Sequence, residues 1–167
     1  MNTSTNIAYD TKGFCRWLKS AKEGQTCVYH AGNLSLDRSL DPFLNELADT
    51  VMLVQETGGI ITKQWRQYLP ITDLWCYVAI RTRNGFVPKS IQSQKITALD
   101  YRAMRAIRDR DADISASRAI RDAISASWSS SDTFAKQILT ALKDQGFLEE
   151  APGKGWQLSA AGLRMMT

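Results

Sequence analysis

Residues 129–167 read SSSDTFAKQILTALKDQGFLEEAPGKGWQLSAAGLRMMT. Ser129, Ser130, Ser131 and Asp132 offer side-chain oxygens to the N–H groups that a first helical turn leaves free. Phe134, Ile138, Leu139 and Leu142 then recur at helical spacing, which predicts a helix that opens at the serines and stops at Gly146. Phe147 and Leu148 begin a strand. Residues 149–155, with Pro152, Gly153 and Gly155, read as a polar turn, after which Trp156 and Leu158 return and Ser159 caps a final Ala-rich helix.

Upstream of the serines, Thr97 is a helix cap, and six arginines (Arg102, Arg105, Arg108, Arg110, Arg118, Arg121) crowd together. Asp109, Asp111, Asp113 and Asp122 are interleaved with them, so the local charge is mixed. RAIRD occurs at residues 105–109 and again at 118–122, each copy followed by ISAS, at Ile114 and Ile124. Two readings stand for this repeat: a short tandem duplication that extended or added a helix, and an arginine ladder along a nucleic acid.

From Thr97 onward the order is helix, helix, serine-capped helix, hairpin. With the ending LxxQGFLEEAPGKGWQLSAAG at residues 142–162, this order resembles the winged helix-turn-helix superfamily of bacterial and phage regulators, and the resemblance covers residues 97–167. It implies double-stranded DNA as partner, the helix starting near Ser130 as recognition helix and Lys154 in the wing. A recognition helix needs short polar or basic side chains near its N-terminus to reach base edges. Ser129, Ser130, Ser131, Thr133, Lys136 and Gln137 meet that need, and Arg118, Arg121 and Lys154 would supply phosphate contacts. Asp132 sets a carboxylate at the same tip.

Residues 1–94 read as an α+β module with its linker, and residues 95–167 as the winged-helix domain. Residues 1–10 form a polar, frayed start. Phe14, Trp17, Leu18 and Ala21 keep helical spacing until Gly24, and residues 26–29 favour a strand before a turn at His30, Ala31, Gly32 and Asn33. Asp41 followed by Pro42 starts a second helix, with Phe43, Leu44, Leu47, Ala48 and Val51 as its buried stripe and Gly58 and Gly59 as its break. Residues 60–68 and 74–81 form a hairpin with a turn near Pro70 and Asp73. Residues 84–94 are polar and turn-rich, which places the domain boundary there. The stretch CVYHAGNLSLDR at residues 27–38 is similar to small uncharacterised proteins of phages and prophages, a similarity that carries no activity.

His30 is the only histidine and sits beside a glycine turn. Such a residue can act as general base or metal ligand, but no second histidine accompanies it, and a ring hydrogen-bonded to the turn accounts for it equally. Asp37, Asp41, Glu46 and Asp49 are close enough for a carboxylate metal site, although Asp41 already serves as a cap and Glu46 and Asp49 suit a solvated helix face. Trp65 and Trp75, on opposite arms of the hairpin, read as a cross-strand pair or as a stacking platform for single-stranded nucleic acid. Cys15, Cys27 and Cys76 are widely spaced and odd in number, which points to buried thiols rather than disulfides or a zinc site.

The 167 residues are 44% apolar and 23% charged with a net charge of +4, a balance that permits a nucleic acid partner without demanding one. No apolar run approaches the roughly 20 residues that cross a bilayer, and no basic-then-apolar leader opens the chain. The expected protein is cytoplasmic, without membrane, metal or cofactor, and is not an enzyme. The expected function is transcriptional regulation by a phage- or prophage-type DNA-binding homodimer. The alternative is a phage-encoded interaction protein that inhibits or redirects a host protein complex through the winged helix. A small nuclease centred on His30 and Asp37 ranks last, because it requires those two side chains to meet in a cleft.

Overall fold

A computed structural model of the chain describes residues 6–68, 73–83, 85–124 and 132–167. The fold is α+β, and the chain splits into two compact units, Met1–Lys95 and Ile96–Thr167. Among the described residues no helix is long and apolar enough to cross a membrane.

The first unit runs β1 (Asn6–Ile7), α1 (Thr11–Ser20), β2 (Thr26–Ala31), α2 (Leu34–Leu40), α3 (Pro42–Glu56), β3 (Ile60–Tyr68), β4 (Asp73–Arg81) and α4 (Lys89–Gln92). Its sheet has the order β1-β2-β4-β3, with β1 parallel to β2 and the other pairs antiparallel. Phe14 and Leu18 of α1, Leu47, Val51 and Val54 of α3, and Ile60 and Val78 of the sheet are all but inaccessible to solvent. Burial of each such side chain stabilises the fold by about 1.5–3 kcal/mol.

The helix starts follow their caps. Asp10 accepts from the Gly13 N–H at 2.6 Å, and Asp41 accepts from Phe43 and Leu44 at 2.9 and 3.3 Å, with Pro42 at the first helical position. Arg38 of α2 donates to Asn45 at 2.8 Å and to the buried Asp49 at 2.7 Å, which fastens α2 to α3.

Several expectations for this unit change. Residues 1–10 are more than a frayed start, since Asn6 and Ile7 pair with Cys27 and Val28; two residues are too few to show a period. Helix α2 escapes a periodicity reading because it buries none of its residues. Phe43 does not belong to the buried stripe of α3, being 75% exposed, whereas Leu44, Leu47, Ala48 and Val51 are buried. In the expected linker, Val87, Ser90 and Ile91 are buried and α4 forms. Pro70 lies outside the described residues.

The second unit comprises α5 (Ala98–Asp109), α6 (Ala116–Ile124), α7 (Asp132–Asp144), β5 (Leu148–Ala151), β6 (Gly155–Leu158) and α8 (Ala160–Met165). Thr97 and Asp100 close a reciprocal capping box at the start of α5. Helices α5, α6 and α7 pack on one another, and the antiparallel β5–β6 hairpin contacts all three. Met104, Ile107, Ile120, Ile124, Ala135 and Leu142 fill the space between them. Gly146, at φ 74°, ends α7, and Phe147 N–H returns to the Leu142 carbonyl at 3.0 Å. Glu149 and Glu150 are strand residues rather than turn, and the reversal is confined to Pro152, Gly153 and Lys154. Ser159 caps α8 by accepting from the Gly162 N–H at 3.1 Å and ties it back by donating to the Gly146 carbonyl at 2.7 Å.

Candidate nucleic-acid interface

Helix α7 buries Ala135, Ile138 and Leu142, so residues three and four apart on its other side form a solvent-facing stripe of Thr133, Lys136, Gln137 and Thr140. Thr140 turns its hydroxyl back to the Lys136 carbonyl at 2.9 Å. Lys136 and Gln137 have no side-chain partner among the described residues. Ser129, Ser130 and Ser131, expected beside them, lie outside the described residues. Lys154 is exposed at the turn of the β5–β6 hairpin, again without an acidic partner among the described residues.

Two side chains that the sequence did not connect with the hairpin hold it. One nitrogen of Arg110, Nη2, donates to the carbonyls of Lys154 and Trp156 at 3.0 and 2.6 Å. Lys143 of α7 sets its ammonium 4.0 Å from the centroid of the Trp156 ring, a cation–π contact that spends this cation on the hairpin. Arg110→Ala is expected to lower stability by about 1–3 kcal/mol, because two charge-assisted bonds go and a part-buried carbonyl is left bare. Thermal unfolding checks the cost, and faster amide exchange confined to residues 149–157 identifies the hairpin as its location.

The expected arginines are placed differently from Lys136. Arg118 lies 3.9 Å from Asp122, and Arg121 reaches Asp122 at 3.2 Å and Asp132 at 2.9 Å. Hydrogen bonds that it donates to Asp122 and then Asp132 hold the Arg121 guanidinium above its ordinary pKa. The first RAIRD copy repeats the pattern, with Asp109 3.7 Å from Arg105 and 2.7 Å from Arg108. Its hydrogen bond from Arg108 holds the Asp109 carboxyl below the usual range. Each copy therefore buries its isoleucine, Ile107 or Ile120, and turns two arginines onto its own aspartate. Arginines held this way do not form an open ladder free of acid. Ser115 of the first ISAS accepts from the Arg118 N–H at 3.3 Å, at the start of α6; of the second ISAS only Ile124 is described. Residues 96–167 carry ten lysines and arginines against nine aspartates and glutamates, a net charge of +1.

In the N-terminal unit His30 Nε2 and Asp37 Oδ2 do meet, at 2.8 Å, with the histidine 14% and the aspartate 37% exposed. The pair straps the end of β2 to α2. Gly32 makes room for it: its φ of 146° suits glycine, and a β-carbon there would press on both side chains. The other carboxylates are occupied elsewhere. Asp41 caps α3, Asp49 takes Arg38, and Glu46 faces solvent beside Asp10 and Lys12. Among the described residues no three His, Cys, Asp or Glu side chains are grouped to hold a metal ion.

Trp65 and Trp75 do not form a pair. Trp65 is opposite Cys76 and Trp75 opposite Arg66, and since opposed residues share a face, the two rings lie on opposite faces of the sheet. That one-residue offset removes both the cross-strand aromatic pair and a shared stacking platform. The cysteines are all buried and reduced. No protein-family model matches the chain, and searches of curated proteins and of solved structures return no match.

Proposed function

We propose that residues 96–167 act as a winged helix-turn-helix unit that binds double-stranded DNA in a phage- or prophage-type transcriptional regulator, with α7 in the major groove and the β5–β6 turn as wing. The observation that carries this reading is the stripe of Thr133, Lys136, Gln137 and Thr140. It carries one cation without an acid partner among the described residues, ends at Asp144 one turn beyond Thr140, and lies on the outward face of the third helix of a helix-helix-helix-hairpin sequence. Lysine and glutamine at such positions suit the acceptor edge of guanine and the mixed edge of adenine. Lys154 adds a backbone contact, while Arg118 and Arg121 serve first to hold Asp122 and Asp132.

Lys136→Ala is expected to weaken binding to a selected duplex by about 1–3 kcal/mol and to relax its sequence preference, whereas Lys154→Ala weakens all duplexes alike. Asp132→Asn removes a carboxylate from the tip of α7 and frees Arg121, so affinity is expected to rise roughly fivefold at low salt. Fluorescence anisotropy on the full chain measures all three. Unchanged affinity in all three variants would remove this surface from consideration.

A second reading, docking of a host protein by the same unit, is favoured by the self-neutralised arginines and the net charge of only +1. It predicts no retention of duplex DNA at any salt concentration.

A further inference from the structure

The two edges of the N-terminal sheet are built differently. β1 is two residues long, and β3 is nine, of which Ile60 at its start is buried. Natural sheet edges are blunted by shortness, proline, bulges or charge, because unpaired peptide groups recruit another strand. β3 has no proline, and its register with β4 runs unbroken from Ile60–Arg81 to Tyr68–Asp73. Lys63, Gln64, Trp65 and Arg66 are exposed. Among the described residues, no backbone hydrogen bond of residues 60–65 goes anywhere but to β4. Only Lys63 and Arg66 guard this edge with charge, and they leave one arrangement open.

We propose that a second copy of this chain pairs its β3 antiparallel to the first, about a two-fold axis through Gln64, to form one continuous eight-stranded sheet. The pleat restricts such an axis to pass through a residue, since opposed residues must lie on the same face. An axis at Lys63 sets that lysine against itself, and an axis at Arg66 does the same to the arginine. An axis at Trp65 pairs residues 62–68 and sets Lys63 against Gln67 and Arg66 against Gln64, so neither cation meets an aromatic ring. The axis at Gln64 pairs Ile61 with Gln67, Thr62 with Arg66 and Lys63 with Trp65, while Ile60 is buried and stays outside the pairing. Both cations then face a neutral partner, one of them an aromatic ring suited to a cation. The interface is isologous, as closed homodimers require. It belongs to the N-terminal unit alone and stands or falls independently of DNA binding.

The test is disulfide trapping in the full-length protein, whose three native cysteines are buried. Under mild oxidation Gln64→Cys is expected to give a covalent dimer, because the residue on the axis faces its own copy. Lys63→Cys alone gives none, and a mixture of Lys63→Cys with Trp65→Cys gives the heterodimer. Gln64→Pro, which removes a ladder N–H, is expected to weaken self-association about tenfold or more in sedimentation equilibrium with the circular dichroism retained. A wild-type protein that stays monomeric at the crosslinking concentration overturns the proposal. So does trapping by Lys63→Cys alone, or a dimer that Gln64→Cys fails to trap.

Discussion

Replacing Gly85 with alanine is expected to cost the N-terminal unit about 4 kcal/mol or more, the range reserved for substitutions that cannot be accommodated by relaxation. A β-carbon at this position would overlap the Gly58 carbonyl and the Gly59 Cα, both of them backbone. Neither strand of that crossing can retreat. Gly58 bridges Phe86, Gly59 N–H bonds the Val54 carbonyl at 2.8 Å, and the side chains of Thr82 and Arg81 donate to the Gly58 and Gly59 carbonyls. Gly59 is itself confined, since a β-carbon there would strike Val87 and Val54. Gly153→Ala is the control. Gly153 has a φ of 73° and open space around it, so the substitution meets only backbone strain, about 1–2 kcal/mol. Urea unfolding of the two variants separates the effects, and a cost below about 1 kcal/mol for Gly85→Ala would contradict the close crossing.

Alkaline pH is expected to produce the second large loss. Burial raises the Cys15 thiol from 9.0 to about 11, with nearby Lys19 opposing, and raises Cys27 to about 11 as well. Both groups have folded pKa values above their unfolded ones, so their contribution is fully present below pH 9 and is lost as pH rises through 11. In that window the unfolded chain releases protons that the folded chain keeps. Each thiol then costs about 2 kcal/mol by pH 11, about 4 kcal/mol together. Tyr29, raised to about 12 by burial and by Tyr77, extends the loss beyond pH 11. Urea midpoints at pH 8 and pH 11 measure the difference. Equal stability at the two pH values would mean that the thiols are not held in the apolar interior.

What was legible in the sequence was what local chemistry controls. Asp41-Pro42, Thr97, Gly146 and Ser159 mark helix ends through their own side chains or backbone freedom, and each acts where it was read. The α+β class followed from those ends and from the strand-forming runs at residues 60–68 and 74–81. Features set by distant partners were not legible. Two residues of β1 become a strand only because β2 lies alongside, and Phe43 keeps helical spacing but meets no core. Register also decides what spacing cannot, since a one-residue offset sends Trp65 and Trp75 to opposite faces. In the candidate interface the i,i+4 spacing of Arg105 with Asp109 and of Arg118 with Asp122 already carried the neutralisation signal. The Arg121–Asp132 pair and the Arg110 clamp on the hairpin depend on tertiary packing and left no mark in the sequence.

The most direct test of DNA binding through α7 and the hairpin turn is the salt dependence of binding to a duplex enriched from a random pool, measured on the full chain. Lys136 and Lys154, the cations of this surface without an acid partner among the described residues, predict a slope of log K against log salt of about −2, steepening toward −4 only if Arg118 and Arg121 leave their aspartates for phosphate. Failure to retain any duplex even at low salt would contradict the account.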